Sequence, residues 1–101
     1  METTKRRTSI QITWNPSREA YQVRFEADEE AFPKVVRALK KIALERRSYN
    51  SVTRCWSIHP SELDTLRRLA VALFDDAQLV EGNVTTNLHT GRVAEQLTLF
   101  A

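Results

Sequence analysis

Apolar and polar residues alternate from the start of the chain's patterned part. Ile10, Ile12 and Trp14 fall on one face of an extended stretch, with Ser9, Gln11 and Thr13 on the other. A period of two is that of a half-buried strand, so residues 8–14 are expected to form one. Asn15-Pro16-Ser17-Arg18 supplies a turn, with Pro16 preset for its second position. Tyr21, Val23 and Phe25 then alternate with Gln22 and Arg24, giving a second strand that pairs with the first as a hairpin. At Phe32 the period changes. Phe32, Val35, Val36, Leu39 and Ile42 recur at three and four residues, the signature of an amphipathic helix of about three turns. Pro33 fits only its first turn, and Asp28-Glu29-Glu30 places acids where a helix N-terminus favours them.

Residues 46–59 carry two short strands with a turn between them, and Trp56 and Ile58 share the face expected to meet the core. Pro60 opens a second helix, with Glu62 in its first turn and an apolar stripe of Leu63, Leu66, Leu69, Ala70, Leu73 and Phe74. Asp75-Asp76 opposes the dipole at a helix C-terminus and so belongs just outside it. Ala77–Val80 is a candidate last strand. Gly82-Asn83 then punctuates the chain, and Val84, Leu88 and Val93 follow without a period.

These elements predict an α+β fold: two layers, a mainly antiparallel sheet with two helices packed on one face. From the second strand onward the order also matches a ferredoxin-like split unit. The expected organisation is a loose basic N-terminus at 1–7, an α+β domain at 8–81, a linker at 82–95 and a tail at 96–101. As a free chain the fourteen linker residues would span roughly 20 Å root-mean-square.

Composition narrows the class without deciding it. The 101 residues suit one domain, with 42% hydrophobic and 28% charged residues, an ordinary soluble balance. A single cysteine, Cys55, rules out an internal disulfide and fits a reducing cytosol. Neither a signal peptide nor a membrane span is expected, which points to the cytoplasm. The net charge of +2 does not by itself call for a nucleic-acid partner, but its distribution is uneven. Between Arg37 and Arg54 there are six basic residues against one acid, Glu45. Arg46, Arg47 and Arg54 flank the expected strand turn, and Lys40 and Lys41 end the first helix. These five, with Tyr49 as a possible stacking partner for a base, are the candidate DNA contacts. Lys40 and Lys41 also have a structural role available, since cations offset a helix C-terminus. Basic side chains on such a face are most often simply solvated. Tyr49 could equally be half-buried, and Trp56 fits core better than platform.

Catalytic constellations are missing. Gly82 and Gly91 cannot make a glycine-rich phosphate loop, and Cys55 with His59 cannot make a zinc site. His59 before Pro60 suits a cap, and Cys55 on a strand suits a small buried hydrophobe. No cofactor, metal or enzymatic activity is expected.

Two resemblances bear on function. The first covers roughly residues 20–75: an amphipathic helix at Phe32–Leu44, a Tyr49-Asn50 turn, then Arg54 and Trp56 on the next strand and a helix from Pro60. This pattern resembles the HARP domain of annealing helicases and the related small domain of some phage helicases. Asn50 stands where Asp is commoner, and no ATPase motor follows. The resemblance implies binding of forked or single-stranded DNA, with a helicase or repair enzyme as a possible partner.

The second resemblance is Gln96-Leu97-Thr98-Leu99-Phe100, followed by Ala101. It is similar to the pentapeptide by which bacterial polymerases and repair proteins dock on the DNA sliding clamp, with Thr98 where Ser or Asp is usual. Leu99 and Phe100 can enter one pocket, Leu97 adds apolar contact, and the Gln96 amide can bond at the rim. The same five residues could instead form a short edge strand, since Leu97 and Leu99 alternate with polar neighbours. Three functions follow. The chain is a non-enzymatic replication or repair accessory that holds DNA, at the nucleoid, and tethers to the clamp. Alternatively it is a phage or mobile-element regulator that occupies the clamp pocket without DNA. The third is a protein-interaction domain with an ordered C-terminal strand.

Overall fold

The computed structural model describes residues 8–95. The basic run at 1–7 and the candidate clamp motif at 96–101 lie outside the described residues. Seven strands and two helices follow in the order β1 (Ser9–Asn15), β2 (Ala20–Glu26), α1 (Ala31–Leu39), β3 (Arg47–Asn50), β4 (Cys55–Ile58), α2 (Leu63–Leu73), β5 (Asp76–Glu81), β6 (Val84–Asn87) and β7 (Val93–Glu95). Short 3-10 turns precede β3 (Leu44–Arg46) and α2 (Pro60–Glu62).

The expected α+β domain is present, but its sheet is larger and mixed. All seven strands join one sheet in the order β3-β4-β2-β1-β5-β6-β7. Every neighbouring pair is antiparallel except β1 and β5, which run parallel. A mainly antiparallel sheet therefore holds, with one parallel pair set by the α2 crossover. Thr8 fixes that pair at its start: its hydroxyl accepts from the Asp75 N–H at 3.0 Å and its carbonyl from the Asp76 N–H at 3.1 Å. The β2-α1-β3 unit is split, because β4 sits between its two parallel strands. β1 lies between β2 and β5, on the side of the split unit away from β4.

The period-two reading of β1 and β2 is matched by register. Ile10 faces Phe25, Ile12 faces Val23 and Trp14 faces Tyr21. These residues, with Trp56 and Ile58 of β4 and Ala77 and Leu79 of β5, share one core with Val35, Leu39, Leu66, Leu69 and Ala70 of the helices. Both helices thus pack on the same side. Ile12, Val23, Leu39, Ile58 and Leu66 are fully buried, each contributing roughly 1.5–3 kcal/mol of apolar burial. Trp14 is only partly buried and stacks obliquely on Tyr21 at 4.9 Å. The Tyr21 hydroxyl donates to Glu81 at 3.0 Å. Burial first, then that bond and the carboxylate's charge, hold its phenol above the ordinary range, against the opposing effect of Arg67.

α1 is shorter than the periodicity predicts. It starts where the Asp28 carboxylate accepts from the Ala31 N–H at 2.7 Å and ends at Leu39; the chain then turns, with Ile42 still buried. The expected linker at 82–95 is corrected outright: it holds β6 and β7. Gly82 and Asn83 are the two residues between Glu81 and Val84, which pair directly. Gly82 at φ +66 takes the left-handed position such a hairpin demands. Asn87 shapes the next turn, its side-chain oxygen accepting from the N–H groups of His89 and Thr90. Leu88 bonds back to the Ala77 carbonyl at 2.9 Å and packs on the core. Strands of four and three residues are too short to display alternation.

Candidate nucleic-acid groove

α1 does not cover the sheet to its β3 edge. In register, Tyr49 of β3 stands opposite Trp56 and Arg47 opposite Ile58, so both point to the helix side. A groove of about 750 Å³ opens there, between α1 and the β3–β4 hairpin. α1 contributes Phe32 and Val36, and Lys40 caps its C-terminal end; spaced by four residues, the three fall on one helix face. The apolar stripe of α1 therefore serves two purposes: Val35 and Leu39 enter the core, while Phe32 and Val36 line the groove.

The groove is aromatic along its length. Phe32 and Tyr49 are half-exposed, at 52% and 50%. Each is backed by a ring beneath it: Phe25 lies 5.8 Å from Phe32, and Trp56 lies 5.0 Å from Tyr49. Phe25 is held in turn edge-on by Phe74 at 5.7 Å. Two half-exposed rings are thus each held by a tilted neighbour. Three cations line the same groove, Lys40, Arg47 and Arg54, and among the described residues no acid does.

Four of the six expected contact residues meet here: Lys40, Arg47, Tyr49 and Arg54. Two do not. Arg46 turns away to Glu62, with its guanidinium 3.0 Å from the carboxylate, an exposed pair worth at most about 1 kcal/mol. Lys41 is exposed off the groove. Arg47 has a structural duty as well, because its Nε–H donates to the Ile42 carbonyl at 2.7 Å, satisfying a group left open beyond α1. Trp56 is buried in the core, as expected, and reaches the groove only from beneath Tyr49. Phe25, Phe32, Val36 and Leu44 line the groove without being legible as site residues in the sequence. Their one signal in the sequence is the i, i+4, i+8 line from Phe32 through Val36 to Lys40.

Arg54 is held at φ +57, the left-handed region that disfavours side chains. It ends the four-residue loop between Asn50 and Cys55, which pair directly. Asn50 ends β3, and its side-chain oxygen accepts from the N–H groups of Val52 at 2.9 Å and Thr53 at 3.2 Å. Glycine would fit position 54 with less strain. Arg54→Gly is expected to raise stability by about 0.5–1 kcal/mol in urea unfolding, strain relief outweighing the added chain entropy. A loss of stability would mean that Arg54 makes a contact worth more than its strain.

A second hollow of about 280 Å³ lies beside β1, β2 and β5. It mixes Arg24 with Glu26 and Asp76 and so presents no surface of one sign. Among the described residues no helix is long and apolar enough to cross a membrane, and no three His, Cys, Asp or Glu side chains gather as a metal site. Compared with family models, curated proteins and solved structures, the chain matches none of them.

Proposed function

We propose that this protein is a non-enzymatic DNA replication or repair accessory, which holds an unpaired strand of forked or single-stranded DNA in the α1–β3 groove. Residues Gln96 to Phe100 tether it to a bacterial sliding clamp. The observation that carries the DNA part is the pairing of two half-exposed rings, Phe32 and Tyr49, with three cations and, among the described residues, no acid in one groove. Bases stack on aromatic faces whatever their sequence, while cations track the phosphates. A duplex hides its base faces, so exposed rings favour a strand without a partner. The clamp part is supported by the five-residue match alone.

The test is fluorescence anisotropy of a labelled single strand and a labelled fork, repeated at rising salt. Affinity on the order of micromolar is expected at about 50 mM salt. With three cations neutralising phosphate, log affinity should fall against log salt with a slope of about −2. Absence of binding at tens of micromolar protein would overturn the DNA reading. Salt-insensitive binding would mean that the groove's cations do not hold the phosphates.

A further inference from the structure

We infer that the loop joining β3 to β4 is a wedge for the end of a duplex, with Val52 at its point. Val52's role rests on the single-strand reading of the groove. Val52 is 89% exposed, the most open of the large apolar side chains among the described residues. Such turn positions are ordinarily filled by Gly, Asn, Asp or Ser, and at this exposure a β-branched Val adds no burial to the fold. An isolated exposed Val would need no explanation. This one is not isolated. Of the six exposed large apolar residues among those described, Phe32, Leu44 and Tyr49 line the groove and Val52 stands on the adjoining loop.

The loop is also built to resist bending. Asn50 and Cys55 close its base as a strand pair. The Asn50 side chain ties down the N–H groups of Val52 and Thr53. Arg54, two residues past Val52, takes a left-handed conformation and lines the groove. A strand leaving the groove past Arg54 therefore passes the loop tip. Where that strand becomes duplex, the flat face of its last base pair meets an apolar side chain on a fixed support. Apolar side chains set against or between base steps are a general means of unstacking DNA.

The test compares a single strand with a junction of the same single-stranded length, for the wild type and Val52→Ser. The wild type should favour the junction, and Val52→Ser should lose about fivefold in junction affinity. Its affinity for the plain strand should stay within about twofold, since phosphate contacts and stacking are untouched. A 2-aminopurine in the last base pair should brighten with the wild type and stay quenched with Val52→Ser. Equal wild-type affinity for strand and junction, or an unchanged preference in Val52→Ser, would overturn the wedge and leave the groove standing. Failure to bind either DNA would remove the groove reading and the wedge with it. An unchanged melting curve of Val52→Ser, expected from its exposure, confirms that the variant is folded.

Discussion

A Lys40→Glu, Arg54→Glu variant is expected to bind a single strand about a hundredfold more weakly than the wild type at low salt. Two of the groove's three cations are then replaced by anions. The salt slope should collapse from about −2 towards zero, because almost no counterion release remains. Neither residue makes a side-chain hydrogen bond or ion pair among the described residues, so the fold should survive. Arg47 is left in place because its bond to the Ile42 carbonyl would be lost with it. Lys41→Glu supplies the control. It reverses a cation one residue from Lys40, off the groove, and should cost less than about threefold through the general field alone. Equal losses in the two variants would mean that diffuse charge, not the groove, attracts the DNA.

Replacing Leu99 and Phe100 by Ala should abolish binding to a purified bacterial sliding clamp, a loss of at least a hundredfold. Each large apolar side chain is worth roughly 1.5–3 kcal/mol when buried, and every 1.4 kcal/mol or so is a factor of ten in affinity. Calorimetry should show wild-type binding on the order of micromolar and none for the variant. Affinity of the same variant for single-stranded DNA should be unchanged, since its groove is intact. No wild-type binding at tens of micromolar would sink the tether. Residues 96–100 would then be read as part of the fold.

The parts of the fold that the sequence made legible are those where periodicity runs long enough to register. β1, β2 and α2 each place three or more apolar residues in the core or against it, and their positions follow from spacing. The parallel β1–β5 pair could not be read, because register between distant segments leaves no local mark. β6 and β7 do not show in the sequence although Gly82-Asn83 is a recognised two-residue hairpin signal, because these strands are too short to support it. At the site, clustered charge identified Lys40, Arg47 and Arg54 but not which cations share a surface. Arg46 ends the 3-10 turn and Arg47 begins β3, and the two side chains part there, one to Glu62 and one to the groove. Phe32 looked like core because its helical spacing is that of core. Only the sheet's extension past α1 makes it a groove wall.

The sheet order has a consequence for how two such contacts would work together. The groove lies at the β3 margin, and the residues leading into the candidate clamp motif form β7, the opposite margin. Six strand spacings separate them, about 29 Å at 4.8 Å each. The slack expected from a fourteen-residue linker is taken up by paired strands. A slack tether raises local concentration and leaves direction free. A taut one sets an offset, so the domain would serve as a measuring bar between ring and strand. The breadth of its sheet would then decide how far from the clamp a displaced strand is caught.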